Sequence, residues 1–369
     1  MENPFKYGQI VTGDDFVDRT KELSELEIEM AAGKSVLIFS NRRMGKTSLL
    51  AEFARKYESE FVFINIDLYG IAGLDELADA IVRETTKASF GKVEKIKSWV
   101  WDMLRSIRLR FVVLEDGGIG IDLVKSRPEI DDFIELLDLP EKIAQRQKKR
   151  IVMVFDEFQE IEALGGVSII KKMRARFQHH KSVTYIFSGS KKHLLAQIFQ
   201  EKEGAFFKFS RPMEIGPLPA DELEGFLMRK FSEAGRRLSP KAAKKIVEFS
   251  RGYPYHSQQL AHELFSLGKS SSSADDVDEA LSAVLDHESA GFSFLWESIK
   301  SPLQRRFLTA IANEPDSPHG EEFLKKYNLR SRSHAQKAET LLEKRGIIEN
   351  GNIVDPFLAY WIRGLRSGS

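Results

Sequence analysis

The chain has 369 residues, more than one compact core usually holds, so two or three domains are expected. Hydrophobic residues make up 42% and charged residues 30%, which excludes an intrinsically disordered chain, and 55 Lys plus Arg against 55 Asp plus Glu excludes a globally basic nucleic-acid binder. The absence of cysteine excludes disulfides, thiolate metal sites and cysteine nucleophiles.

The first residues lack a basic start followed by an apolar run. No apolar stretch approaches the roughly 18 residues that cross a bilayer. A cytoplasmic protein without a membrane partner is expected.

From about residue 34 to 190, short β-branched runs alternate with amphipathic stretches. Residues 36–39, 61–66, 151–155 and 184–187 are nearly continuous apolar runs, which suit strands buried on both faces of a parallel sheet. Residues 48–57 and 134–147 carry helical patterns between them, so an α/β sheet with right-handed crossovers is predicted. Residues 92–110 read as a helix, and 111–114 with 119–122 as a hairpin around Gly117 and Gly118, inserted in the sheet domain.

After about residue 215 no further strands are expected until the end of the chain. Residues 220–234, 240–250, 256–267 and 277–287 have helix-period apolar positions and predict a helical lid domain. The serine-rich run 269–276 is a loop, with Ser273 or a neighbouring Asp available to cap the next helix. From Ser301 the pattern gives three helices and then two short strands around an Asn-Gly turn within 346–354, the outline of a winged helix. The expected fold is therefore an α/β parallel sheet flanked by helices over 1–215, a helical lid over 216–290 and a C-terminal winged helix over 291–369.

Immediately after the first apolar run come Ser40, Asn41, Arg42, Arg43, Met44, Gly45, Lys46 and Thr47, with Ser48 opening a helix. At a helix N-terminus successive backbone N–H groups converge on an anion and the helix dipole favours negative charge. In such a loop Gly45 permits close approach of the backbone, Lys46 reaches the β- and γ-phosphates, and the Thr47 hydroxyl ligates Mg²⁺. The plainer alternative is a chance Gly-Lys-Thr in a basic loop; placement between strand and helix favours the phosphate loop. Ser40 stands where such loops usually begin with Gly, a departure with a conformational cost if a left-handed backbone is required.

The run 151–155 ends in Asp156 and Glu157. A carboxylate at the C-terminal end of a parallel strand lies at the crevice where such sheets bind ligands. Asp156 is placed to hold Mg²⁺, and Glu157 to polarise a water for attack on the γ-phosphate. The run 184–187 ends in Ser188-Gly-Ser190, whose hydroxyls either contact the γ-phosphate or the attacking water, or cap the next helix.

Together these motifs resemble the archaeal-type ATPase family, which is also found in bacteria and is grouped with the signal-transduction ATPases with numerous domains, relatives of the AAA+ group. The resemblance takes in Asn3-Pro-Phe5, Phe16-Val-Asp-Arg-Thr-Lys-Glu-Leu23, the phosphate loop, and Val154-Phe-Asp-Glu-Phe-Gln-Glu160. It continues through Ile186-Phe-Ser-Gly-Ser-Lys191, Gly252-Tyr-Pro-Tyr-His-Ser-Gln-Gln-Leu260 and Val354-Asp-Pro-Phe-Leu-Ala-Tyr-Trp361. It implies an ATP- and Mg²⁺-dependent core, with Arg19 near the nucleotide base and Pro254 on the lid beside the bound nucleotide. It also implies slow hydrolysis of the kind switch proteins use. Besides Ser40, the chain departs from the family in its aromatic stretch before the lid, where Lys208 or Arg211 is the candidate phosphate sensor.

For partners beyond ATP and ADP, the turn at Arg330 and Arg332 and the helix carrying Lys337 offer cations to double-stranded DNA. A protein surface or nucleotide-dependent self-assembly is the other use of such a domain. Three readings follow: an ATP-driven regulatory switch, an ATP-dependent DNA-binding protein laid out like replication-origin initiators, and a nucleotide-dependent scaffold with little turnover.

Overall fold

Residues with branched or aromatic side chains on both faces cannot leave either face in water, and here they assemble into a sheet covered on both sides. The computed structural model describes residues 2–90, 98–105, 107–115, 118–315 and 320–365. The chain divides into two units: one comprises Ile10–Gly13 and Arg19–Gly216, the other the residues up to Gln9, Asp14–Asp18 and everything from Pro217.

In the first of these, helix α1 (Thr20–Ala31) precedes strand β1 (Val36–Phe39), helix α2 (Lys46–Lys56), strand β2 (Phe61–Asp67) and helix α3 (Leu74–Phe90). Helix α4 (Ser98–Leu104) leads to the hairpin β3 (Phe111–Val113) and β4 (Ile119–Ile121), paired antiparallel with Val113 opposite Ile119. Helices α5 (Ile130–Leu136) and α6 (Leu139–Gln147) return the chain to β5 (Arg150–Asp156). Helix α7 (Ile161–Phe177), interrupted at Gly166, then joins β6 (Val183–Gly189), helix α8 (Lys192–Phe199) and β7 (Arg211–Glu214).

The sheet order is β2-β5-β6-β1-β7, every neighbouring pair parallel. Consecutive strands β1 and β2 are separated by two others, which opens a crevice at the carboxyl end of β1. The register sets Phe39 beside Gly189, Phe155 beside Phe187 and Asp67 beside Asp156, so the ends of β1, β5 and β6 lie on one edge. All of β6 and all but the first residue of β5 are buried.

Several expectations need correction. The single helix expected over 134–147 is two helices, with Pro140, lacking an N–H, in the first turn of the second. Of the helix expected over 92–110 the described part is helical only at Ser98–Leu104, and residues 92–97 lie outside the described residues. The turn of the 111–122 hairpin includes Gly117, which is likewise outside them. Strand β7 was not expected. Its sequence, Arg211-Pro-Met-Glu214, carries a proline and exposed charges, features a strand tolerates only at a sheet edge.

The second unit begins with α9 (Ala220–Glu233), the short strand β8 (Arg237–Leu238), α10 (Pro240–Ser250) and α11 (Pro254–Ser266). Strand β9 (Ser271–Ser272) pairs with β8, two strands where none was expected. Helix α12 (Ala274–Ser298) is longer than the predicted 277–287. Its N-cap is Ser273, whose side chain accepts from Asp276 N while the Asp276 carboxylate accepts in return from Ser273 N. Lys269 and this cap hold the half-buried Asp276 carboxyl down at about 2.

Helices α13 (Pro302–Asn313), α14 (Glu321–Lys326) and α15 (Arg332–Lys344), with the hairpin β10 (Ile348–Glu349) and β11 (Asn352–Ile353), form the winged helix. A further helix, α16 (Pro356–Gly364), was not expected. Asp355 caps it, accepting from Phe357 N at 2.9 Å and Leu358 N at 3.2 Å. The buried His256 imidazole lies 3.3 Å from that same carboxylate, which ties the 252–260 motif to the 354–361 motif.

The N-terminal Asn3-Pro-Phe5 finds its explanation in the same core. Phe5 is buried against Phe231 and Phe265, at 5.1 and 6.2 Å between ring centres, and the Asn3 amide donates to His262 O. Among the described residues no helix is long and apolar enough to cross a membrane.

Candidate functional site

The loop after β1 takes its shape from two left-handed residues, Arg43 at φ 68° and Gly45 at φ 82°, with the buried Met44 between them as an apolar anchor. Alternating handedness turns successive N–H groups toward one concavity, the geometry of an anion nest. Glycine is required at 45, because a side chain there would strain the backbone where helix α2 starts. Ser40 does not share that conformation, so serine carries no left-handed penalty at the head of this loop. Its fully buried hydroxyl donates to Asn41 O and lies 3.3 Å from the Lys46 ammonium, as acceptor.

Lys46 is only 7% exposed. Burial pushes its ammonium below the ordinary lysine range; the Glu157 and Asp156 carboxylates oppose that shift, while Arg42 and Lys192 add to it. A buried cation flanked by further cations suits an anion of high charge. A lysine is charged below its pKa, so affinity for a polyphosphate should hold at neutral pH and fall as pH climbs through this lowered value. We expect that loss to begin below 10.5 in a titration of nucleotide affinity. Lys46→Arg, whose guanidinium stays charged, should flatten it; equal alkaline slopes for the two proteins would contradict the assignment.

At the carboxyl end of β5, Asp156 is buried and accepts from three groups. The Thr47 hydroxyl donates to Oδ2 at 3.2 Å, Glu157 N donates to Oδ1 at 2.9 Å, and the fully buried Ser188 hydroxyl donates to Oδ1 as well. A hydroxyl and a carboxylate brought together in this way fit Mg²⁺, which takes few protein ligands and keeps phosphate oxygens and water.

Glu157 sits in the left-handed region at φ 48°, where the strand turns into a 3₁₀ segment, Phe158–Glu160. Its Oε2 accepts from the Ser190 hydroxyl at 2.9 Å and from the Gln159 amide. The two serines at the end of β6 thus each engage one carboxylate. Lys191 pairs with Glu160 at 2.7 Å and Lys192 with Glu214 at 2.7 Å.

Arg19 is buried and left-handed at φ 71°. Its guanidinium donates to Gly216 O at 2.6 Å, to Met44 O at 3.3 Å and to Glu22 at 2.8 Å, so it braces the loop from behind. The Ser48 hydroxyl accepts from Val11 N, and Glu52 one turn later accepts from Gly13 N, which pins residues 10–13 along α2. Neither Glu52 nor Gln159 stood out in the sequence; the one signal was the position of Gln159 just after the acidic pair.

Asn41, Arg42 and Arg43 lie in the loop itself. Pro254 belongs to the other unit, at the first turn of α11 after Gly252 (φ 71°), where a side chain on the glycine would meet Leu218 O at 2.9 Å. Arg211 is corrected as a phosphate sensor. It pairs with Val36 at the start of β1, the edge away from the loop, and its guanidinium is held by Glu25 at 2.7 Å and by Glu29. Lys208, three residues before it, rests over the Phe207 ring.

A family model described as an ATPase domain predominantly from Archaea matches residues 16–260, and a probable winged helix domain matches residues 291–364. No curated protein matches the sequence. Among solved structures, a Walker-type ATPase of Pyrococcus abyssi superposes with a TM-score of 0.68 at 19% identity, over 98% of this chain and 99% of that one. The ORC2 protein of Aeropyrum pernix, in its ADPNP–ADP complexes, gives a TM-score of 0.61 at 13% identity over 100% and 98% of the two chains. The ORC1 protein of the same organism, in complex with DNA, gives 0.51 at 12% identity over 95% and 94%. At these identities the likeness is one of fold.

Proposed function

We propose, for a chain that belongs to the family of ATPase domains predominantly from Archaea, a Mg-dependent ATP-binding and ATP-hydrolysing switch. The observation that carries the reading is the gathering of Lys46, Thr47, Asp156 and Glu157 at one sheet edge, beside a loop shaped for phosphate.

Backbone N–H groups of Asn41 to Thr47 cradle the β-phosphate, and Lys46 balances the charge of the β- and γ-phosphates. Thr47 and Asp156 hold Mg²⁺, which when bound neutralises phosphate charge. Glu157 takes the proton of the attacking water through Oε1, the oxygen that no side chain among the described residues engages. Ser188 keeps Asp156 oriented, and Ser190 does the same for Glu157. The products are ADP and phosphate. The nucleotide state is passed on through the unit that carries Pro254, which closes as a lid and re-poses the winged helix. The backbone of Ser40 argues against a disabled loop, and so against a scaffold without turnover.

A second reading, a DNA-binding ATPase, has one supporting observation. Helix α15 exposes Arg332, Gln336, Lys337, Thr340 and Lys344, and Arg330 is exposed on the turn before it.

One experiment addresses both readings: Mg-dependent ATP binding and phosphate release, measured with and without double-stranded DNA at low salt. Binding with slow release supports the switch. Release altered by DNA, with retention abolished by charge reversal at Arg330 and Arg332, moves the conclusion to the second reading. Failure to bind ATP in Mg²⁺ overturns both.

A further inference from the structure

Glu157 alone of the two carboxylates is reached by a side-chain amide. Gln159 follows it by two residues and is 3% exposed. The turn that carries Gln159 is anchored from below. The Phe158 ring is fully buried among Phe187 at 4.7 Å, Phe199 and Phe206 at 5.6 Å each, and Phe155 at 5.9 Å, and Glu160 N closes the turn on Glu157 O at 2.9 Å. With Phe158 fixed in the core, the next side chain is turned back over the end of β6.

There Gly189 leaves a slot. A Cβ built on Gly189 would stand 2.1 Å from Gln159 Oε1 and 3.0 Å from Leu195 Cδ1, so the amide occupies the volume that any other residue would fill. The backbone of Gly189 is not left-handed, and the glycine is therefore explained by space and not by conformation. The orientation of the amide is forced by chemistry. Only its NH₂ end can donate, and that end meets the Glu157 carboxylate, with Glu160 Oε1 farther off at 3.5 Å. Its Oε1 is buried in the slot with no hydrogen-bond partner among the described residues. A buried acceptor without a donor is costly, so the arrangement is not explained by local stability.

We infer that Gln159, seated in the Gly189 slot, is a positioning residue that fixes the Glu157 carboxylate for the attacking water. The inference rests on the reading of Glu157 as the base. Both donors, Gln159 and Ser190, hold Oε2, and this restrains the carboxylate and leaves Oε1 for the water. General-base catalysis depends on that aim, because a misplacement of about 1 Å can cost roughly 100-fold in rate.

The test uses Gly189→Ala, which displaces the amide without removing any polar group, beside Gln159→Leu, their double variant and Glu157→Gln. The first readout needs no nucleotide: the side-chain amide signal of Gln159 in ¹⁵N-glutamine-labelled protein, assigned by its loss in Gln159→Leu. That signal should be protected from exchange in the wild type and lose its protection in Gly189→Ala.

The second readout is single-turnover phosphate release. Gly189→Ala and Gln159→Leu should each slow it by roughly 10- to 100-fold, with ATP affinity within about twofold of wild type. The double variant should be no slower than the worse single, because both changes break the same contact. An unmoved amide signal in Gly189→Ala overturns the geometry. A moved signal with an unchanged rate overturns the positioning role and leaves the proposed function standing. An unchanged rate in Glu157→Gln removes the base itself, and the inference with it.

Discussion

Lys46→Ala is expected to abolish ATP binding at physiological concentrations while leaving the protein folded. The ammonium is desolvated in the free protein, 7% exposed, and lies within electrostatic reach of the Asp156 and Glu157 carboxylates. Removing it leaves those two carboxylates opposite a triphosphate with no buried cation between them. Truncating one partner of a buried, hydrogen-bonded charge pair typically costs about 2–5 kcal/mol, which corresponds to a loss of roughly 30-fold to several thousandfold in affinity. The fold should tolerate the change, because Lys46 lies at the first position of α2 and the only hydrogen bond of its ammonium among the described residues is the 3.3 Å approach to Ser40. Titration with a fluorescent ATP analogue, alongside a thermal melt, reads both quantities. Affinity within threefold of wild type would mean that the loop binds through backbone alone or not at all, and the switch reading would end there.

The strands that build the site were legible because burial leaves a plain mark: nearly continuous apolar runs at β1, β2, β5 and β6, each followed by a polar residue. Asp156 and Glu157 stood out for the same reason, as the first charges after such a run. Edge strand β7 left no such mark, since half its bonding capacity and most of its side chains face water. The aim of the side chains was not legible either. Ser188 and Ser190 were visible as polar residues at a strand end, yet nothing in their spacing told that each would donate to a carboxylate. Ser40 was visible as a departure, but its freedom from left-handed strain depends on a backbone angle that composition does not encode. Gln159 was the least legible of all. Its role depends on a missing side chain 30 residues away, at Gly189, and on a phenylalanine that fixes the turn between Glu157 and Gln159.

Glu157→Gln separates binding from chemistry, and we expect it to keep ATP affinity close to that of wild type while slowing phosphate release by about 10²- to 10⁴-fold, the range associated with loss of a general base. The substitution is nearly isosteric, and its amide oxygen can still accept from Ser190 and Gln159, so the turn at the end of β5 should survive. What it loses is a carboxylate able to take a proton. It also removes one of the two negative charges that oppose the burial of Lys46, which has no bearing on proton transfer but tends to lower the ammonium pKa further. The alkaline fall in ATP affinity should therefore begin at lower pH in this variant than in wild type, a secondary signature that a variant defective only in folding would not give. A protein trapped with ATP in this way also tests the switch itself. If nucleotide state is passed to the winged helix, the trapped form and the ADP form should differ in protease sensitivity over residues 291–364, the span of the winged helix match. Identical cleavage patterns, with release blocked and ATP retained, would leave an ATPase whose hydrolysis the winged helix does not sense.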